Sequence, residues 1–271
     1  MDERQNVNRA LNRKKLDVKQ QKIAWINDST QMSCVDMFMA ANDVKKKKAS
    51  ALVLVGGAEN YFNTIEANIA TIKTSFHGPV RAVFGYTDYS TSTIEQLKRK
   101  LKDSDVSLVD NPLVIENDVV AIGIDAWPDL LGQKDDIKQL PDELAEAVRE
   151  IVGSTQLKDI ARFCEERNAE MYDKAKETII GAACSVGDNG RVLVFVHPLP
   201  AHGGSHKIAA SCSTTLAKCI EQSVRERPRV SFIVCCGAVA SEKIETSFLA
   251  QAPNLQISVS SKLGTVSYID T

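Results

Sequence analysis

Short, almost wholly apolar runs punctuate the chain, and they predict its strands. The clearest are Ile23-Ala24-Trp25-Ile26, Ala51-Leu52-Val53-Leu54-Val55, Val80 to Phe84, Val192 to Val196 and Val230 to Cys235. Strands covered on both faces read this way, because side chains pointing either way need an apolar environment. Each run stops at polar or glycine-containing residues: Asn27-Asp28, Gly56-Gly57, Gly85 to Asp88, His197-Pro198, and Gly237 to Ala240. Shorter strands are predicted at 106–109, 113–115 and 119–124, with Glu116-Asn117-Asp118 turning a hairpin between the last two. Two more, 255–260 and 265–269, flank Lys262-Leu263-Gly264.

Helical spacing fills the intervals. Val35, Phe38, Met39, Ala41 and Val44 fall near one face of a helix over 33–48. Further helices are predicted at 63–76, 91–102 and 205–225. From 127 to about 187 the chain is mainly helical: Pro141-Asp142-Glu143 is a helix start, and 157–184 can carry one or two helices. Strands alternating with helices predict an α/β protein. The simplest organisation is a polar, basic extension over 1–20, then a single domain over 21–271 with a helical insertion at about 127–187.

Composition narrows the function. With 271 residues, 44% hydrophobic and 25% charged, the chain has the make-up of a soluble globular protein. A net charge of −2 supplies no general attraction to nucleic acid or membrane. No apolar run approaches the ~20 residues that span a bilayer. The first twenty residues lack the apolar core of a secretory signal, and none of the seven cysteines forms a CxxC pair. These features predict reduced thiols and a cytoplasmic location, with mitochondrial import through the basic N-terminus as the alternative. Lys45 to Lys48 close a helix, where cations suit the macrodipole. The alternative for that run and the N-terminal arm is an anionic partner such as nucleic acid.

In an open α/β sheet, ligands collect at the carboxyl ends of the strands. The polar strand ends found here, in this order and spacing over roughly 22–271, resemble those of the calcineurin-like metallophosphoesterases. The resemblance implies two packed mixed sheets flanked by helices, an α/β/β/α sandwich. It also implies a D-x-H motif after the first strand, GD after the second, GNHD after the third, a lone His, and then GHxH. Gly123-Ile124-Asp125 looks like the family's GxD-type turn.

The motif residues depart from that pattern. Asp28 matches the first Asp, but Thr30 stands for the following His. Gly57 replaces the bridging Asp, Tyr86 the metal-binding Asn and Thr87 the catalytic His, while Gly85 and Asp88 match. His197 matches the lone His, and Ala238 and Ala240 replace both histidines of the last motif. Asp28 and His197 alone keep family metal ligands, and they belong to different metals. Two ions held ~3.5–4 Å apart need a shared carboxylate and several ligands each. Glycine and alanine supply none. The expectation is a fold that keeps its core without its cofactors or catalysis and serves as a protein-binding or scaffold subunit. A retromer subunit with this fold is used in that way. The alternative is a phosphoesterase with a diverged site around Asp28, Asp88 and His197, holding Zn, Mn or Fe.

Other chemistry is weaker. His197, His202 and His206 cluster in sequence, and could form a mononuclear site only if all three turned inward. Gly203, Gly204, Ser205 and Lys207 ahead of a helix could cradle an anion with backbone N–H groups. Cys235 and Cys236 could supply a nucleophile with His197 as base, although Cys235 reads better as a small core residue.

Overall fold

A computed structural model of the chain describes residues 21–29, 32–58, 64–85, 88, 96, 99–100, 106–116, 118–125, 153, 156–197, 213–237, 252–260 and 264–271. In chain order the strands are β1 (Lys22–Asn27), β2 (Ala51–Val55), β3 (Val80–Val83), β4 (Leu113–Glu116), β5 (Val119–Ile124), β6 (Arg191–Val196), β7 (Ser231–Gly237), β8 (Leu255–Ser260) and β9 (Val266–Asp270). The helices are α1 (Cys34–Lys46), α2 (Ile65–Lys73), α3 (Leu157–Ser185) and α4 (Thr214–Glu226).

The strands form two mixed sheets. The first runs β3-β2-β1-β9, with β1 to β3 parallel and β9 antiparallel to β1. The second runs β4-β5-β6-β7-β8, all parallel except β4. Because the central strands are apolar on both faces, each sheet can be covered twice. Between the sheets lie Trp25, Val53 and Val83 from one and Leu193, Phe195 and Ile233 from the other. The rings of Trp25 and Phe195 meet edge to face, with centroids 6.3 Å apart. On the outer side of the first sheet, Met37, Ala41 and Val44 of α1 and Ile65 and Ile72 of α2 cover Ala24, Ile26, Leu52 and Leu54. On the outer side of the second, Ile179 and Ala183 of α3 and Leu216 and Ile220 of α4 cover Val120, Val192, Val194 and Val234. The result is the α/β/β/α sandwich that the resemblance implied.

Local chemistry places the helix ends. Ser33 caps α1, accepting from the Asp36 amide at 3.2 Å, while the Asp36 carboxylate accepts from the Ser33 amide at 3.0 Å. Thr64 caps α2 by accepting from the Ala67 amide at 3.3 Å, without a returning side chain. At the other end of α1, Lys47 lies over the Tyr268 ring at 4.9 Å, so this member of the lysine run has a partner within the fold.

The described part of 127–187 is essentially one helix. At 1.5 Å per residue, the 29 residues of α3 extend about 43 Å, whereas the six residues of β5 or β6 cover about 20 Å. Only part of α3 can lie on the sheet, and the rest overhangs. Among the described residues, no helix is long and apolar enough to cross a membrane.

Three expectations change. The first is in α1, where Val35, Phe38 and Met39 are exposed on a different face from the buried Met37, Ala40, Ala41 and Val44. Residues 106–109 do not form a full strand: they make one parallel bridge, Ala82 to Ser107. The reason is a turn, since Ser107 Oγ donates to Asp110 Oδ2 at 2.7 Å and accepts from the Asp110 amide at 3.1 Å. The last two strands, adjacent in sequence, separate into different sheets, β8 beside β7 and β9 beside β1. Of the helix expected at 91–102, only Gln96, Arg99 and Lys100 are among the described residues.

Candidate functional site

The parallel strands of both sheets bring Asp28, Gly56-Gly57, Gly85, Asp88 and His197 to one rim between the sheets. Backbone bonds continue past the strands to hold the turns. The Asp28 amide donates to Val55 O and the Gly56 amide to Val83 O, both at 2.9 Å. Asp28 has φ 45°, a left-handed conformation that aspartate tolerates better than most residues, and Gly56 and Gly57 have φ 75° and 66°. Ser29 Oγ donates to Gly57 O at 2.6 Å, a tie that the sequence reading did not single out.

Asp88 is completely buried, and its Oδ2 accepts from two backbone amides, Gly85 at 2.8 Å and Gly57 at 3.1 Å. One carboxylate thus joins the turns after β2 and β3. A side-chain oxygen that accepts two backbone N–H bonds is satisfied in this dry setting, so the local role of Asp88 is to hold the rim.

His197 is 4% exposed, and its imidazole packs against the two glycine turns. A Cβ added at Gly56 would fall 2.1 Å from His197 Cδ2, and one added at Gly85 would fall 2.4 Å from His197 Cγ. Only residues without a side chain leave room for the ring. Its Nε2 sits 3.7 Å from Asp28 Oδ2, and the Asp28 side chain is also buried. The signal for this seat was present in the sequence as glycines ending two neighbouring strands, but nothing there names the residue that fills it.

The residues expected at a vestigial site therefore fall into two groups. Asp28, Gly57, Asp88 and His197 gather at the rim. Thr30, Tyr86, Thr87, Ala238 and Ala240 lie outside the described residues, as do His202, Gly203, Gly204, Ser205, His206 and Lys207. The described donors do not fit a metal pair. Gly57 offers no side-chain ligand, Asp88 Oδ2 is spent on amides, and Asp28 and His197 supply one ligand each. Among the described residues there is no group of three or more His, Cys, Asp or Glu side chains placed to hold a metal ion.

The cysteine reading does not survive burial. Cys235 is fully enclosed between the sheets, and burial, with Cys236 beside it, pushes its thiol well above the ordinary value. A thiol held protonated is a poor nucleophile.

No protein-family model matches the chain, and no curated protein matches it. Among solved structures, a dimetal phosphatase from Danio rerio is similar at 11% identity and a TM-score of 0.49, covering 88% of this chain and 86% of its own. The protein TT1561 of Thermus thermophilus is similar at 11% identity and a TM-score of 0.41, covering 82% and 84%. A dehydrogenase/reductase from Sinorhizobium meliloti 1021 is similar at 16% identity and a TM-score of 0.29, covering 85% and 77%. Likenesses at this level say nothing of activity.

Proposed function

We propose that the chain is a metallophosphoesterase-like protein without catalysis, acting as a protein-binding or scaffold subunit of a larger assembly. One observation carries the first half: His197 is seated on Gly56 and Gly85. The ring occupies space between turns that a metal-dependent hydrolase would keep open for ions and water. The neighbouring carboxylates fit the same reading, with Asp88 committed to two amides and Asp28 facing the imidazole. With Gly57 where a bridging carboxylate would stand, nothing described would neutralise two divalent ions at close range.

For the binding role the supporting feature is α1. Its Val35, Phe38 and Met39 are exposed although the helix buries Met37, Ala40, Ala41 and Val44 elsewhere. Spacing of three and four residues puts the exposed apolar side chains on one face, an arrangement that suits protein contact. The N-terminal arm over 1–20 and the segment 127–187 are further candidate contact regions.

Two experiments test the reading. The pure full-length chain, supplied with Mn or Zn, should not hydrolyse p-nitrophenyl or bis-p-nitrophenyl phosphate above the blank. Metal-dependent turnover that disappears in Asp28→Ala would overturn it. Affinity purification of the parent and of Phe38→Glu addresses the partner: a protein retained by the first and lost by the second supports the α1 surface, and identical co-purification removes it.

A second reading is a metal-dependent phosphoesterase with a diverged site, and the closeness of Asp28 to His197 favours it. Metal analysis of the purified protein separates the two, since stoichiometric Zn, Mn or Fe supports the enzyme.

A further inference from the structure

The overhang of α3 opens a second site. Beyond the end of β5, a cleft of about 170 Å³ lies between the strand end and the helix. One water needs only roughly 10–15 Å³ of such space, so the cleft can take a ligand of several atoms. On the strand side it is lined by Gly123 and Asp125, and on the helix side by Arg167, Glu170, Lys174 and Thr178. Those helix residues recur at intervals of three and four, which puts them on one face of α3. About 100° round the helix, Ala175, Ile179 and Ala183 pack against the second sheet, so the polar row runs beside the apolar one.

We propose that this cleft binds the oxyanion group, phosphate or carboxylate, of a small molecule, with Arg167 as its principal donor and Lys174 as the second cation. Arg167 is anchored on one edge, where Nη1 donates to Glu170 Oε2 at 3.1 Å. Its Nε is buried and has no hydrogen-bond partner among the described residues. The side chain as a whole is only 22% exposed, so water does not reach this donor freely. A guanidinium presents its donors in a rigid fork that matches the spacing of carboxylate or phosphate oxygens. Glu170 holds the plane of that fork while leaving Nε without an acceptor. An oxyanion in the cleft would accept from it, and Lys174, two turns along the same face, would add a second positive charge that, with Arg167, offsets the Glu170 and Asp125 carboxylates also lining the cleft.

Position supports the same conclusion. The cleft is at the carboxyl end of a parallel strand, where α/β folds place ligands. It differs from the rim between the sheets, because its cations come from α3 and its lining takes in Ile124 on the outer side of β5. The site does not depend on whether the chain is an enzyme, since none of its helix residues belongs to the rim.

Arginine side-chain N–H signals give a direct test. The full-length chain would be titrated with sodium phosphate and, separately, with sodium acetate, at constant ionic strength held with chloride. The Arg167 Nε–H resonance would be assigned by its loss in Arg167→Gln. A saturable shift with phosphate assigns a phosphate group, and one with acetate assigns a carboxylate. Lys174→Gln, which keeps the Arg167 signal, should weaken saturation about tenfold, as loss of a charge-assisted contact does. If neither anion moves the resonance, or Lys174→Gln leaves both titrations unchanged, the proposal is wrong. Circular dichroism and the urea midpoint of each variant show that the helix is intact.

Discussion

The seat of His197 makes a quantitative prediction through Gly85→Ala. Carbon atoms in ordinary contact lie about 3.5–4.0 Å apart. The new Cβ would fall 2.4, 2.5 and 2.7 Å from His197 Cγ, Cδ2 and Nδ1, so the ring must shift by about an ångström. It has little room to do so, because Gly56 lies against the ring as well and Asp28 Oδ2 is 3.7 Å from Nε2. Overpacking of this kind costs about 1–3 kcal/mol. Backbone strain adds nothing, since Gly85 is outside the left-handed region. In a His197→Ala background the clash is gone. The same substitution should then be neutral, or stabilising by about 0.4–1 kcal/mol through the unfolded chain. The coupling between the two sites is therefore expected at about 1–3 kcal/mol, read from urea unfolding of the four proteins at constant m-value. Gly56→Ala is the control. It meets the ring more closely, at 2.1 Å, but its φ of 75° adds a left-handed cost that removing the imidazole cannot relieve. Additivity within about 0.5 kcal/mol for Gly85→Ala and His197→Ala would refute a filled rim, and with it the main support for a non-catalytic reading.

Three other outcomes follow from single contacts. Asp88→Ala strands the buried Gly57 and Gly85 amides and should cost about 2–5 kcal/mol in urea unfolding, with Asp88→Asn costing less because an acceptor remains. Ser33→Ala removes the α1 cap and should cost about 1 kcal/mol by the same measurement. Tyr268 donates to Asp43, and burial, then that carboxylate, raises its phenol above the ordinary value of 10.0. The raised folded-state value means that this contribution is whole below about pH 10 and is lost as pH rises further. Stability curves of Tyr268→Phe should therefore fall less steeply above pH 10 than those of the parent; equal slopes would remove the assignment.

The layers were legible because their cause is local. Runs such as Ala51 to Val55 can only be buried on both faces, and the Ser33 and Thr64 caps mark helix starts directly. Register and sheet membership were not local. β8 and β9 follow each other closely in sequence, yet Leu255 pairs with Phe232 and Val266 with Ile26, and a hydrophobic pattern holds no record of which partner is chosen. The site divided in the same way. Asp28, Asp88 and His197 could be placed at strand ends from spacing. That Asp88 ties two turns together and His197 packs on two glycines depends on contacts across 31 residues or more. Arg167 and Lys174 read as ordinary solvated charges on a helix. Only the mismatch between helix and strand lengths reveals what they line.

That mismatch joins the two halves of the reading. Val196 pairs with Ile124 in the parallel register of β5 and β6, so His197 and Asp125 each stand one residue beyond the same pair. Two neighbouring strand ends thus meet different fates. Between the sheets, the glycine turns admit an imidazole and the space closes. Outside the second sheet, α3 runs on past β5, and a polar helix face stands off the strand end instead of packing on it. Filling the first space removes nothing that the second requires, because the cleft draws its cations from α3 alone. The proposed non-catalytic rim and the proposed anion cleft are therefore compatible in one chain, and each can fail its test without the other.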